Sequence, residues 1–568
     1  MNGLSNATVA KQIAAALQRH GVEMIFAQSL PSAVVLACEE IGIRQIAYRQ
    51  ENMGGVMADG YARISGRVSV VCAQNGPAAT LLVPPLAEAI KASVPIIALV
   101  QDVERNQTDR NAFQDFDQMA LFASCAKWVR RLNSADRVDD YIDQAFIAAA
   151  SGRPGPAVLL LPADLLREPA VSSGARKAAL GVWPIDRMRP DDATIRLAVE
   201  KIAQAKQPVI MAGGGVHAAG AFDALAHLQD LVHIPVCTTN MGKGAVNEYH
   251  PLSLGVIGAL TGPKSLGRHT RKFLDGADLI ILIGTRTNQN GTDSWRLLPR
   301  GADIIHIDAD PQEIGRNYEA MRLVGDSRST LEALCAVLAG QDLTQHAKKR
   351  AEREQRIAQM WSVFADDQKT LCEAKQHIRP ERVMASLQAH LQPDAIMVAD
   401  ASYSSMWVVG QLRAQAAGSR FITPRGLAGL GWGLPLAMGA KLARPGSKVI
   451  ALVGDGGFAH SWAELETLVR SGIALVLIVL NNGVLGYQKD AEQVKFGSYT
   501  SACHFAPVNH ADIAKACGCL AKRVEDLDQL DKILAEAMAS DRPWLVEVMT
   551  DPDAHPAISL YDGTLDHE

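Results

Sequence analysis

VIALVGDGGFAHSWAELETLVRSGIALVLIVLNNGVLGY, residues 449–487, decides the fold. Residues 449–453 form a short apolar run, β-branched at its ends. Runs of this kind form parallel strands covered on both faces. Gly454, Gly456 and Gly457 follow and permit a tight turn and a close approach of backbone to a ligand. The next segment has helical spacing, with Trp462, Leu465, Leu468 and Val469 predicted on one face and Gly472 as its stop. A second apolar strand, 473–480, runs into Asn481-Asn482.

Strand, helix and strand in that order put the carboxyl ends of both strands on one edge of the sheet, where α/β proteins bind ligands. Asp455 and Asn482 are therefore predicted to meet there. A carboxylate and an amide oxygen can share a hard cation. Mg²⁺ suits such a site, because it takes few protein oxygens and keeps waters and ligand phosphates in its other positions. The backbone carbonyl of Val484 is the candidate third ligand. A glycine-rich turn at a helix start also welcomes phosphate. Gly454, Gly456, Gly457, Leu485 and Gly486 complete this candidate cofactor set.

Working outward, 568 residues exceed what one core organises, and three domains are expected. A hydrophobic content of 48% with 21% charged residues is that of an ordinary globular protein. The net charge of −5, from 56 basic and 61 acidic residues, gives no reason to expect nucleic acid or an anionic membrane as partner. No apolar run is long enough to span a bilayer, and the N-terminus lacks a basic and then apolar leader pattern. The nine cysteines are scattered, and Cys517-x-Cys519 is too tight for a zinc or redox pair. A cytoplasmic protein with reduced thiols is the expectation.

The first domain is predicted at 1–175. A helix over 8–20 closes at Gly21, and a strand at 24–26 leads into Gln28-Ser29-Leu30-Pro31. RQENMGGVMADGYAR follows at 49–63, with Glu51 at the end of a short strand and the start of a helix. An acid in a first helical turn is favourable through the dipole alone, so by itself this Glu reads as a helix-start residue. A salt bridge to Arg49 or Arg63 is its other ordinary role.

Several segments together change that reading. Gly-Asp-Gly with Asn481-Asn482, placing Asp455 and Asn482 twenty-seven positions apart, resembles the signature of thiamine diphosphate (ThDP) enzymes. The stretch 49–63 resembles the Glu-bearing motif of the pyrimidine-binding domain in acetohydroxyacid (acetolactate) synthase-like members. Asn75-Gly76-Pro77-Ala78-Ala79-Thr80, Ala112-Phe113-Gln114-Asp115 and the strand after Arg153-Pro154-Gly155 resemble further family segments in the family's order. The resemblance covers nearly the whole chain.

It implies three doubly wound parallel-sheet α/β domains. The pyrimidine-binding domain is placed at 1–175, a central Rossmann-like domain at 190–340, and a diphosphate- and Mg²⁺-binding domain at 375–555. Residues 168–192 read as a linker, from Pro, Ser, Gly and charge without periodicity. Residues 341–376 read as a charged helical bridge, with Lys348-Lys349-Arg350 on a solvated face. In the central domain, strands at 208–211, 279–283 and 304–307 are predicted. Gly213-Gly214-Gly215 serves either a nucleotide or plain strand–helix packing. FAD, ADP or an empty site are all open there, and 284–290 departs from the Arg-Phe-Asp-Asp run of FAD-holding synthases.

In the third domain, Asp400 ends a strand at 396–399, and Ser402-Tyr403-Ser404 opens a short helix whose hydroxyls and free N–H groups suit a diphosphate. The resemblance implies Glu51 at N1′ of the aminopyrimidine, the Ala428 carbonyl accepting from the 4′-amino group, and Leu430 holding the cofactor bent. It also implies Asn75 in the cofactor set, and Gln28, Ser29, Gln114, His460 and Tyr487 lining the substrate pocket. Active sites shared between chains are implied, in a homodimer or homotetramer.

Departures matter too. Ser402-Tyr403-Ser404 stands where the synthases carry Gly-Gln-His, Gln50 replaces a His, and Gln28-Ser29-Leu30 replaces a Gly-x-Pro-Gly turn. These point to a substrate other than that of the standard synthase. The expected activity is a ThDP- and Mg²⁺-dependent lyase or carboligase for 2-oxo acids. The alternatives are a 2-hydroxyacyl-CoA or diketone lyase, an FAD-dependent pyruvate-oxidase type, and, from another class, a nucleotide-binding regulatory protein without activity.

Overall fold

The computed structural model describes residues 7–171, 174, 176–373 and 377–561. Parts of the expected linker and the last residues of the expected bridge lie outside them. The described residues build three six-stranded sheets in which neighbouring strands run parallel.

The first sheet has the order β2-β1-β3-β4-β6-β5. Its strands are β1 (Met24–Phe26), β2 (Arg44–Ile46), β3 (Ser69–Ala73), β4 (Ile96–Asp102), β5 (Trp128–Arg131) and β6 (Ala157–Pro162). The second comprises β7 (Pro208–Ala212), β8 (Val236–Thr238), β9 (Ser253–Val256), β10 (Leu279–Ile283), β11 (Asp303–Asp308) and β12 (Met321–Val324). Its order is β12-β11-β10-β7-β8-β9, which is the doubly wound dinucleotide-fold arrangement. The third comprises β13 (Ile396–Ala399), β14 (Arg420–Ile422), β15 (Val449–Gly454), β16 (Val476–Asn481), β17 (Leu520–Val524) and β18 (Trp544–Met549). Its order, β14-β13-β15-β16-β18-β17, repeats that of the first sheet strand for strand.

The central strands are Ile-, Leu- and Val-rich because helices cover both faces of each sheet. Ile280, Ile281 and Leu282 of β10 and Ile478 and Val479 of β16 have no exposed surface. The bridge is a single helix, Thr344–Cys372, with only His346, Arg353, Ile357 and Phe364 buried. Its basic run is engaged locally: Arg350 pairs with Glu354 at 2.7 Å, and Lys349 donates to the Lys206 carbonyl at 3.0 Å. The nine cysteines are all free thiols. Among the described residues, no helix is long and apolar enough to cross a membrane.

One expectation is corrected. The segment after Asp455 is two short helices, Asp455–Phe458 and Glu464–Arg470. Leu465 and Leu468 are buried as expected, but Val469 is exposed. Trp462 lies between the helices, where its indole N–H donates to His510 Nδ1 at 3.1 Å. Apolar spacing does not mark the break between them at 459–463.

The first and third domains meet where the helix Glu51–Ser65 crosses the helix Gly433–Ala443. A Cβ at Gly60 would lie 2.1 Å from the Leu436 carbonyl oxygen, and one at Gly439 would lie 1.9 Å from that of Met57. Backbone therefore touches backbone. Gly439→Val is expected to cost about 3 kcal/mol or more through overpacking. Denaturant unfolding checks this, and an unchanged midpoint would contradict the crossing.

Candidate active site

All expected diphosphate and cation residues leave the carboxyl edge of the third sheet. Asp455 follows β15, Asn482 follows β16, and 402–404 follows β13. Asp455, Asn482, Val484, Ser402, Tyr403, Ser404, Gly454, Gly456, Gly457, Leu485, Gly486, Tyr487 and Leu430 line one cavity. The Gly483 N–H donates to Asp455 Oδ2 at 3.0 Å, and the Val484 N–H to Asn482 Oδ1 at 3.1 Å, so the two ends are tied together. The paired asparagines divide their work. Asn482 faces the cavity, while Asn481 is buried and donates to Glu547 at 2.7 Å.

Asp455 is 6% exposed, and burial pushes its carboxyl up to about 6 even with backbone N–H groups facing it. A buried carboxylate with only backbone donors for company lacks a counter-charge, and a cation at this edge would supply it. The donor set fits Mg²⁺: one carboxylate, one amide oxygen and the Val484 carbonyl, with room for phosphate oxygens.

The departures at 402–404 have a visible backbone cost. Ser402 has φ +66°, in the region that favours glycine, at a place where the resembling synthases carry Gly. Ser404 is buried within reach of Gly454. The Tyr403 hydroxyl donates to Asp490 at 2.7 Å, and its ring meets Tyr487 edge-on at 5.9 Å.

The loop after β14 carries Ala428 and Leu430. Ala428 also has a positive φ, +62°. Two buried carboxylates hold this loop, and neither was expected from the motifs. Asp400 accepts N–H groups from Gly431, Trp432 and Gly433 at 2.9–3.2 Å. Burial raises its pKa against the effect of those bonds. Glu88, from the first domain, accepts from Gly426, Leu427 and Ala428.

The pyrimidine-side residues leave the carboxyl edge of the first sheet. Glu51 opens its helix with Gln50 as N-cap. Glu464 of the third domain accepts the N–H groups of Arg49 and Gln50 at 3.0 and 3.2 Å, fixing the backbone just before Glu51. Arg49 itself pairs with Glu466 at 2.8 Å, and Arg63 with Asp59 at 2.6 Å, which takes both arginines away from the ordinary salt-bridge role. Asn75 is buried and donates to the Gln114 carbonyl at 2.9 Å, and Gln74 donates to Gln114 Oε1 at 2.7 Å. Gln28 and Ser29 are exposed after β1. His460 is exposed and packs on Gly431, outside the cavity lining. Glu51, Asn75, Gln28, Ser29 and Gln114 are likewise absent from the lining of the diphosphate cavity in the single chain.

The central domain has its own cavity of about 160 Å³ against the first domain. Arg153, Trp183, Gly214, Arg286 and Asp308 line it. The three glycines split their roles. A Cβ at Gly213 or Gly215 would strike Gly284 backbone at 2.3 or 2.6 Å, whereas Gly214 has its nearest neighbour, Met241, at 3.2 Å. Asp308, at the end of β11, is pushed up to about 7, chiefly by burial.

Three parallel-sheet domains, with a cavity at the carboxyl edge of the third, are the architecture of a cofactor-dependent α/β enzyme. The chain belongs to the thiamine pyrophosphate enzymes. Residues 7–121 match their N-terminal TPP binding domain, 195–334 their central domain and 400–548 their C-terminal TPP binding domain. It is 32% identical to a probable acetolactate synthase large subunit of Methanococcus aeolicus over 95% of this chain and 91% of the relative. The corresponding protein of Methanocaldococcus jannaschii is 32% identical over 96% and 92%. An acetolactate synthase of Mycobacterium bovis is 31% identical over 100% and 91%.

Proposed function

We propose that this chain is a ThDP- and Mg²⁺-dependent lyase or carboligase acting on 2-oxo acids, acetolactate-synthase-like in its chemistry. The observation that carries this is the single cavity in which Asp455, Asn482, Val484 and the 402–404 turn converge, with Leu430 on its wall. In this reading, Asp455, Asn482 and the Val484 carbonyl hold Mg²⁺. Ser402, Ser404 and the N–H groups of 454–457 hold the diphosphate. ThDP, when bound, supplies the nucleophilic carbon and the electron sink that 2-oxo acid cleavage needs. Glu51 holds a proton at N1′, the Ala428 carbonyl accepts from the 4′-amino group, and Leu430 keeps the two rings close.

The proposal includes a second copy of the chain. Glu51 and Asn75 do not line their own chain's diphosphate cavity, and Leu427, Phe113 and Phe116 are at least half exposed. A homodimer, or a tetramer of such dimers, would bring one chain's Glu51 to the other's cation edge. Gln28, Ser29, Gln114, His460 and Tyr487 would then face the substrate. The domain limits 1–175, 190–340 and 375–555 are part of the same reading. Nine unpaired thiols support a reducing, cytoplasmic setting.

The test is product analysis after incubation with ThDP, Mg²⁺ and pyruvate. Acetolactate or acetaldehyde is expected. Unchanged pyruvate with calorimetrically demonstrated ThDP binding would overturn the pyruvate assignment and turn attention to bulkier oxo acids, acyl-CoA esters and diketones.

The central cavity favours a second reading. Arg153 and Arg286 beside Asp308 suit the phosphates and ribose of an adenine nucleotide, either FAD for an oxidase or ADP for a CoA-ester lyase. A yellow purified protein with flavin absorption would support the first. Thermal stabilisation by ADP but not by flavin would support the second.

A further inference from the structure

The loop that carries Ala428 and Leu430 is not held by its own domain alone. Glu88 belongs to the helix Val83–Ala92 of the first domain and is 2% exposed. Its Oε1 accepts the Gly426 N–H at 2.6 Å, and its Oε2 accepts those of Leu427 and Ala428 at 2.5 and 3.2 Å. Arg63, also from the first domain, stands 3.5 Å from the same carboxylate and donates to the Thr423 carbonyl at 3.0 Å. The approach is close: a Cβ on Gly426 would lie 2.4 Å from the Glu88 carbonyl oxygen.

On the far side of the loop, Asp400 takes the N–H groups of residues 431–433. Six backbone donors are thus fixed by two buried carboxylates. Gly429 and Leu430 span the gap between them, and Leu430 stays 39% exposed. The grip has something to oppose. A non-glycine residue in the left-handed region costs about 1–3 kcal/mol, and Ala428 sits there at φ +62°. Hydrogen bonds to a carboxylate are roughly twice as strong as neutral ones, so three of them suffice to hold the strained turn.

We infer that Glu88 is a positioning residue that imposes the strained turn at Ala428 and thereby sets the direction of its carbonyl and the height of Leu430. This rests on the ThDP reading for what the loop touches. The grip itself does not depend on that reading.

The test compares wild type with Glu88→Gln and Glu88→Asp. Gln keeps the volume but loses the charge and turns an amide N–H₂ toward backbone donors. Hydrogen–deuterium exchange without cofactor is read first. Amides 426–428 are expected to be protected in wild type and to exchange at least tenfold faster in Glu88→Gln, with the core of the third sheet unchanged. With saturating ThDP and Mg²⁺, kcat is expected to fall tenfold to a hundredfold with little change in KM, because misplacement by about 1 Å has that effect. The circular-dichroism band of the bound aminopyrimidine should be lost in Gln and partly regained in Asp.

Unchanged exchange at 426–428 would overturn the inference. So would a kcat loss that merely follows the fraction of folded protein, since a plain tether between domains would behave that way. Should Glu88→Gln not fold, Glu88→Asp carries the same exchange and kcat comparison. A wild type that binds no ThDP would sink the cofactor reading while leaving the exchange result to judge the grip.

Discussion

Glu51→Gln is expected to lower turnover by about 10²- to 10⁴-fold, the range by which positioned proton transfer contributes. ThDP binding should persist. The residue opens a helix whose entry is fixed by Glu464 through two N–H bonds and whose flank is fixed by the glycine crossing at Gly60. Gln in that place keeps the shape and a hydrogen bond, but it cannot exchange a proton with the pyrimidine ring. Steady-state rates at saturating ThDP and Mg²⁺, with calorimetry of ThDP binding alongside, make the comparison. A variant that turns over within fivefold of wild type would remove Glu51 from the proton path.

Asp455→Asn is expected to act with opposite signs on binding and on stability. Losing a residue that merely orients a metal ligand costs about 10- to 100-fold in affinity, so losing the carboxylate of the proposed cation site should cost at least the upper end. Calorimetry of ThDP with Mg²⁺ reads this directly. In the protein without cation, burial has raised the Asp455 pKa to about 6. A group whose folded pKa lies above its unfolded value destabilises the folded state once it is charged in both, that is, above about 6. The neutral Asn relieves this. The apoprotein of the variant should therefore be at least as stable as wild type near neutral pH, and the difference should shrink as pH falls below about 6. A variant that is less stable at every pH would show that Asp455 serves the fold and not a cation.

Much of this architecture could be read from the chain because parallel strands buried on two faces leave plain apolar runs. The strand 279–283 was legible to the residue, and so was the turn that puts Asp455 and Asn482 on one edge. The grip residues were not. Glu88, Asp400 and Glu464 each act by accepting backbone N–H groups, and a backbone N–H has no residue signature. For Glu88 the partners are about 340 residues away in sequence. The strain at Ser402 and Ala428 was invisible for a related reason, since nothing in Ser or Ala announces a positive φ. The resemblance alone places His460 in a pocket, and in the single chain it is exposed and lies against Gly431.

The crossing at Gly60 and Gly439 sets a rule for traffic in and out of the site. Carbonyl oxygens there meet Cα atoms with no side chain between them to roll or yield. A seam of that kind offers no hinge, so the two sheets it joins form one solid wall. The doorway then has to be made of loops. The segment after β4 is one such loop: Asp109, Asn111 and Gln114 all have positive φ there, and Phe113 stands 85% exposed. Loops of this kind can change in sequence without a single atom of the wall being moved.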